Sequence, residues 1–374
     1  MKLAAARAGT ALKIRGRELD FSFYPMTRTN RRWGIHSTLY AADPWAVISG
    51  SVIESVKPQN ERDAAVSFVR QAREYFTAAE RAASIETRPL LYYYSFMNLA
   101  KAIAMSRGQK GLVGKVAHGI AHVGGTGHTP ATAKLQIGRS TPSSRQVVDE
   151  LHRAIEGKPV PTGEYDVSDM IAQSVVGHRM WREGFSQVRQ ERFIPIDSIH
   201  FLDNAAEIWL AIHISRATLA ARGRPITQTL RESGLDSTFR IVKHPDPNIA
   251  GESHVLEQKV PIAYTGRAAD VVVDAVSALR PFVWQTITPS PPYRRFYLYL
   301  SSPDERRMPQ WLSVYSIFFW LGSLTRYQPV ELFEALDGKF GPFFREFLET
   351  QANQLLYMFA SDAKQQDVTK AAII

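Results

Sequence analysis

Residues 87–148 carry eight basic side chains and no Asp or Glu, so this stretch is the part of the chain best suited to binding an anion. It begins with a very apolar segment, 89–105, and continues into a run rich in Gly and His. A positive field without acidic neighbours in the sequence attracts phosphates or an acidic partner surface. The candidate ligand-binding residues in this stretch are Arg88, Asn98, Lys101, Lys110, Lys115 and His118.

The segment 89–105 is predicted to form a central helix, because apolar residues surround almost its whole circumference. At about 100° per residue, its polar residues fall within one sector of about 140°. Two interpretations of this seam stay open: Asn98 and Lys101 bind carbonyls of a neighbouring helix, or they form the floor of an anion pocket. A second apolar helix, predicted over 309–327, ends in a similar Ser-Leu-Thr-Arg sequence. Arg326 therefore joins the candidates.

Two further patterns could support chemistry. His118 and His122 have a spacing found in zinc sites, but no carboxylate lies nearby to supply another ligand, so we expect no metal. The pairs Arg31–His36 and Arg145–His152 match the loose spacing of metal-independent ribonucleases. In such sites His moves protons for attack by the ribose 2′-hydroxyl while Arg steadies the phosphate.

The composition of the 374 residues excludes several classes of protein. A hydrophobic content of 45% and a charged content of 22% are globular values, which exclude global disorder. The absence of Cys excludes disulfides, a thiol nucleophile and Cys-ligated zinc. The longest apolar run, 311–324, is shorter than the roughly 20 residues of a membrane span. We expect a cytoplasmic protein without a membrane partner.

The pattern of elements predicts a mostly α (α+β) fold with a helical core and a small antiparallel β-containing insert. Strands are predicted only between residues 239 and 300, where β-branched and aromatic runs alternate with turn signals. Residues 204–222 are predicted as an amphipathic helix. The segments would be an N-terminal arm at 1–60, a helical region at 61–235, the insert at 236–305 and C-terminal helices at 306–374.

Three sequence islands resemble the bacterial YaaC-like family: RPLLYYYSFMNLAKAIA from Arg88, HGI from His118, and FFWLGSLTRYQP ending at Pro329. The resemblance implies a cytoplasmic, largely helical protein. A more distant likeness is to HEPN-type helical domains, in which a Tyr-rich helix leads through a loop to a His-Gly element. Many of those bind nucleotides or cut RNA in stress or phage defence. The chain departs from their Arg-x4–6-His motif, because Arg107 lies eleven residues before His118.

These observations favour a HEPN-like protein that binds an anionic ligand, either RNA or a nucleotide, in phage defence or nucleotide stress. One alternative is a metal-independent ribonuclease that uses an Arg–His pair. Another is a non-catalytic subunit whose basic face docks an acidic protein. No cofactor is expected in any of the three.

Overall fold

The computed structural model describes residues 3–14, 16–25, 38–124, 127–175, 177–187, 191–302 and 305–370. Its helices are α1 Pro44–Ser55, α2 Gln59–Arg81, α3 Arg88–Ser106, α4 Val147–Glu156, α5 Val167–Ala172, α6 Gly177–Gly184, α7 Arg216–Ala221, α8 Ile226–Glu232, α9 Pro247–Glu252, α10 Val272–Leu279, α11 Gln310–Tyr327, α12 Pro329–Asp337 and α13 Gly341–Lys364. Its strands are β1 Ala4–Ala5, β2 Thr10–Ala11, β3 Lys13–Ile14, β4 Arg17–Glu18, β5 Thr38–Tyr40, β6 Ile120–His122, β7 Lys134–Ile137, β8 Gly163–Asp166, β9 Phe193–Ile196, β10 Ser198–Asp203, β11 Glu207–Ser215, β12 Phe239–Lys243, β13 Ser253–Gln258, β14 Ile262–Ala263, β15 Val283–Ile287, β16 Arg294–Tyr299 and β17 Asp367–Thr369.

The chain divides into two compact units. The first, called the sheet unit, comprises Met1–Tyr40, Glu191–Arg307 and Thr369–Ile374. The second, called the helical unit, comprises Ala41–Gln190 and Met308–Val368. Each unit is therefore assembled from segments that are far apart in the sequence.

The sheet unit is built on a seven-stranded mixed sheet in the order β1-β12-β13-β11-β10-β2, with β14 also paired to β11. Only the β1–β12 pair is parallel among the pairings of the described strands in this sheet. One face of β11 packs against α10, since Ile212 and Ile214 share a buried cluster with Val276 and Leu279. On the opposite face, Trp209 is fully buried, and the Arg7 guanidinium lies 5.0 Å from the centroid of its ring. A separate three-stranded sheet has the order β15-β16-β9.

The predicted fold class is wrong, because a seven-stranded mixed sheet makes this an α/β fold rather than a mostly helical core. The main error is the helix predicted over 204–222, where β11 is followed by the short helix α7. Five consecutive residues of β11, Ile208–Ile212, are buried. A strand covered on both faces is a continuous apolar run, and periodicity alone does not distinguish such a run from a buried helix.

The helical unit contains the two apolar helices that the sequence identifies, and they pack against each other. α3 lies between α2 and α11 and also contacts α13. At the centre, Phe96 is fully buried, with its ring centroid 5.1 Å from that of Phe318 and 6.1 Å from that of Phe359. Within the described part of the chain, no helix combines the length and apolar character needed to cross a membrane.

A three-stranded antiparallel sheet, β6-β7-β8, lies in the helical unit after the central helix α3. It is formed by the Gly- and His-rich stretch and by residues just beyond α4. β6 contacts α11, so the strand that begins just after His118 is held against one of the two central helices. This contact positions the site described next.

Candidate functional site

A close approach of α3 and α11 forms one wall of the candidate site. At Gly322, an added Cβ would lie 3.1 Å from Cβ of Tyr93 and 3.3 Å from the carbonyl oxygen of Pro89. Such distances are tighter than ordinary van der Waals contact, so a residue without a side chain allows the helices to come this near. Phe319, three residues before Gly322, and Arg326, four residues after it, lie on the same helix face, and Ser323 adjoins them.

Between these helices and β6 lies a cavity of about 360 Å³. This volume falls within the range of roughly 300–1,000 Å³ for small-molecule sites. Aromatic rings, two imidazoles and one guanidinium dominate its surface, and no carboxylate faces it among the described residues. The lining residues are Leu90, Tyr93, Tyr94, His118, Ile120, Ala121, His122, Phe319, Gly322, Ser323, Arg326 and Tyr327.

His118 is fixed by a tyrosine of α3. The Tyr93 hydroxyl and Nδ1 of His118 form a hydrogen bond, and the two rings stack with centroids 5.6 Å apart. The turn into β6 depends on Gly119, which has a φ of 86° and whose added Cβ would lie 3.1 Å from Cβ of Val148. That backbone conformation is unfavourable for residues with a side chain. The imidazole therefore has a defined place in the cavity wall.

Burial and nearby positive charge keep the histidines of the cavity neutral. Burial lowers the pKa of His118, and the charges of Lys101 and Arg326 lower it further. Burial likewise lowers the pKa of His122, with a smaller contribution from His128. Burial raises the pKa of Tyr93 well above its usual value. At neutral pH the two imidazoles can therefore accept a proton, and the phenol remains protonated.

Two cations in or near the cavity wall, Arg326 and Lys101, have no carboxylate partner among the described residues. Nη1 of Arg326 donates to the Tyr94 hydroxyl at 2.9 Å, and its guanidinium lies 4.9 Å from the ring centroid of Tyr327. Lys101 lies two turns beyond Tyr94 on α3 and is only 8% exposed. Its ammonium sits 5.0 Å from the ring centroid of Phe68, and burial lowers its pKa. The positive charge around the cavity is thus uncompensated.

Two of the candidate ligand-binding residues, Arg88 and Asn98, bind other parts of the protein. Arg88 forms an ion pair with Glu349 and also donates to the carbonyl oxygen of Ala82 at 3.4 Å. Asn98 donates to the side-chain oxygen of Gln71 at 2.8 Å and thereby links α3 to α2. Neither residue lines the cavity. Of the predicted set, the structure brings together His118 and Arg326 in the cavity wall, with Lys101 close enough to influence His118.

Acidic residues outside the stretch 87–148 neutralise part of its charge. Lys134 pairs with Asp166 at 3.5 Å, and Arg145 pairs with Glu150 at 3.1 Å. Lys110 and Lys115 are exposed and have no ion-pair partner among the described residues. The unpaired charge on this surface is therefore smaller than the sequence count suggests.

The Arg145–His152 pair does not line the cavity. His152 is 1% exposed, and its Nδ1 lies 2.7 Å from the carbonyl oxygen of Lys158, while Arg145 is directed to Glu150. Arg145, which precedes α4, and His152, which lies within it, therefore have separate partners. The other pair, Arg31 and His36, lies outside the described residues.

The aromatic walls of the cavity are not predicted from the sequence. Tyr94, Phe319 and Tyr327 were attributed only to an apolar helix surface, although they line the cavity beside Arg326. For Phe319 the sequence carries a signal, the spacing of Phe319, Gly322 and Arg326, which places a ring, a gap and a cation on one helix face.

The YaaC-like protein family matches residues 32–363 of this chain. No curated protein and no solved structure gives a significant match. The family match spans both the central helix α3 and its partner α11, and so it includes every residue that lines the cavity. Because it covers most of the chain, the protein belongs to the YaaC-like family.

Proposed function

We propose that the cavity of the helical unit binds the base-and-phosphate unit of a nucleotide, supplied either by a free nucleotide or by single-stranded RNA. Both ligands present a flat aromatic ring next to an anion. Aromatic side chains hold bases by stacking, which contributes about 1–3 kcal/mol per base and tolerates any base. Phe319, Tyr94 and Tyr327 are the rings available for this contact.

The observation that carries the proposal is the position of Arg326. Its guanidinium is held by the Tyr94 hydroxyl at the edge of an aromatic cavity, and no carboxylate of the described residues neutralises it. A guanidinium matches the oxygens of a phosphate with paired N–H donors. The neutral His118 adds a polar contact on the α3 side of the cavity, and Lys101, which lies outside the lining, adds a positive field that reaches His118.

Calorimetric titration with AMP and with adenosine tests this arrangement. Arg326→Gln should weaken AMP binding about 10-fold to 100-fold, because a charge-assisted hydrogen bond contributes roughly 1.5–3 kcal/mol. Adenosine has no phosphate, so its affinity should not change. Phe319→Ala should weaken both ligands. Arg70→Gln, at an exposed arginine of α2, is the matched control and should leave AMP binding intact.

A short single-stranded RNA distinguishes the two sources of the ligand. If RNA binds and AMP competes for the same site, the cavity holds one nucleotide of a strand. If AMP binds and RNA does not, a free nucleotide is the ligand. Failure of both ligands to bind would refute the proposed function. The wider setting belongs to the same proposal: a HEPN-like binding protein of the bacterial cytoplasm, in phage defence or nucleotide stress.

RNA cleavage is the second candidate, because the cavity holds His118, His122 and Arg326 together. A neutral imidazole can accept the proton of a ribose 2′-hydroxyl as that oxygen bonds to phosphorus, and it can return the proton to the 5′ oxygen as the P–O5′ bond breaks. A guanidinium can stabilise the phosphate as charge develops. RNA should then be cut in the presence of a metal chelator, and His118→Gln should abolish the cleavage. Cleavage that persists in this variant would assign the activity elsewhere.

A further inference from the structure

The sheet unit contains a second cavity, of about 590 Å³, far larger than packing defects in a protein core. It forms where the chain passes from one sheet to another. β9 pairs with β16 as far as Ile196 opposite Phe296, and the amide of Asp197 then donates to the carbonyl oxygen of His213 at 3.0 Å. β16 stays paired with β15 as far as Arg294. Beyond Ile196 and Phe296, β9 and β16 therefore separate and leave an opening between them.

The walls of this cavity are partly aromatic. Phe21 and Phe296 meet edge to face with centroids 5.1 Å apart, and Phe201 stacks on Phe21 at 5.9 Å. Ile196 and Pro292 add apolar surface. A ligand body that is apolar or aromatic would therefore be in contact with carbon atoms over much of its surface.

The charged side chains around this apolar surface have both signs. Glu18, Asp20 and Asp197 contribute carboxylates, and Arg295 contributes an exposed guanidinium. None of these four forms an ion pair with another described residue. Asp197 is held in place by a hydrogen bond from the Ser215 amide. The cavity is thus lined by separate, unpaired charges of opposite sign.

Unlike Arg295, the neighbouring Arg294 is buried and is bound to another side chain. It is 9% exposed and donates to the side-chain oxygen of Gln285 at 2.6 Å. This contact fixes the start of β16 at the edge of the cavity. Arg295, the next residue along the strand, is exposed and lines the cavity, so its guanidinium is accessible to a ligand.

We propose that this cavity binds a short peptide, with the ammonium group at Asp20 and Asp197, the carboxylate at Arg295, and an apolar side chain on Phe21 and Phe296. A nucleotide fits poorly, because the three carboxylates outnumber the two lining arginines, Arg294 and Arg295, and repel its phosphate. A diamine fits poorly, because Arg295 repels one of its two charges. The volume lies within the range of small-molecule sites and exceeds what a single amino acid would fill.

Titration calorimetry with the full chain and the dipeptide Ala-Phe tests the proposal. Ala-Phe should bind, and N-acetyl-Ala-Phe and Ala-Phe amide, which each lack one charge, should bind about 10-fold to 100-fold more weakly. Arg295→Gln should weaken Ala-Phe but leave the amide unaffected. Asp20→Asn should weaken Ala-Phe but leave the N-acetyl form unaffected. These crossed outcomes identify which end of the ligand meets which side chain.

The controls are Arg222→Gln and Asp274→Asn, at exposed residues of the same unit that do not line the cavity. Both should bind Ala-Phe as the original chain does, and thermal unfolding should show that every variant folds. The proposal is overturned if Ala-Phe does not bind, or if its affinity is unchanged by Arg295→Gln and Asp20→Asn. Binding of 1,4-diaminobutane with an affinity equal to that of Ala-Phe would also overturn it.

Discussion

The Tyr93 hydroxyl is hydrogen-bonded to Nδ1 of His118, which joins the central helix α3 to the residue just before β6. The contact spans 25 residues of sequence that are rich in glycine. Because the Tyr93 ring also packs on Tyr315 and Phe319, the hydroxyl has little freedom to move away from the imidazole. The site thus depends on a side chain of the hydrophobic core.

Removing this hydroxyl should weaken the helical unit. Tyr93→Phe should lower the free energy of unfolding by about 0.5–1.5 kcal/mol, the net contribution of one hydrogen bond. Urea unfolding measures the change. In a His118→Ala background the same substitution should cost less, since the bond is already absent. Tyr75→Phe is the control, because its hydroxyl has no hydrogen-bond partner among the described residues. Equal losses in both backgrounds would show that the bond contributes nothing.

The close packing of α3 against α11 at Gly322 leads to a second prediction. Gly322→Ala should destabilise the chain by about 1–3 kcal/mol, because the added methyl group must displace α3 or Tyr93. Gly50→Ala in α1 is the matched control, since nothing lies within 4 Å of its added Cβ. There the higher helix propensity of Ala should stabilise by up to about 1 kcal/mol. A stabilising effect at Gly322 would contradict the observed helix crossing.

The burial of Phe96 leads to a third prediction. Phe96→Ala should cost about 3–5 kcal/mol, because it leaves a cavity among Phe318, Phe359 and Tyr92. Thermal or urea unfolding gives the value. A loss of less than about 1 kcal/mol would mean that the helices close over the gap, or that Phe96 is not at the centre of the core.

The sequence predicts α3 and α11 well, because helices that are apolar all round must be surrounded by protein. It does not predict β11, since a strand buried on both faces carries no period of two. It also does not reveal the ion pair of Arg88, whose partner Glu349 is 261 residues away along the chain. His118 and Arg326 were identified from local residue type, whereas the carboxylates that neutralise Lys134 and Arg145 are recognised only once the chain is folded.

A fourth prediction concerns pH. Burial, with the charges of His200 and His244, lowers the pKa of His213 to about 4 from the ordinary histidine value of 6.5. The unfolded chain therefore binds this proton more readily than the folded chain, and stability should decline as pH falls through the window from 6.5 to about 4. Above that window the contribution is fully present. Histidine NMR signals measure the midpoint, and His200→Gln should raise it. A midpoint near 6.5 in the original chain would contradict the structure.

The last prediction separates exposed from paired lysines. If single-stranded RNA binds, each lysine that contacts phosphate contributes about −0.7 to the slope of log affinity against log salt. Lys110 and Lys115 are exposed without an ion-pair partner among the described residues, whereas Lys134 pairs with Asp166. Lys110→Gln with Lys115→Gln should therefore flatten the slope by about 1.4 units.

Lys134→Gln is the internal control for that measurement, because a lysine already paired with a carboxylate releases little counterion on binding. The salt slope of the Lys134→Gln variant should match that of the original chain, even though the substitution removes one of the eight basic residues of the stretch 87–148. Equal slopes for all variants would show that RNA phosphates do not contact Lys110, Lys115 or Lys134. A slope flattened most by Lys134→Gln would instead mean that RNA displaces Asp166, and the exposed lysines would then lose their assigned role.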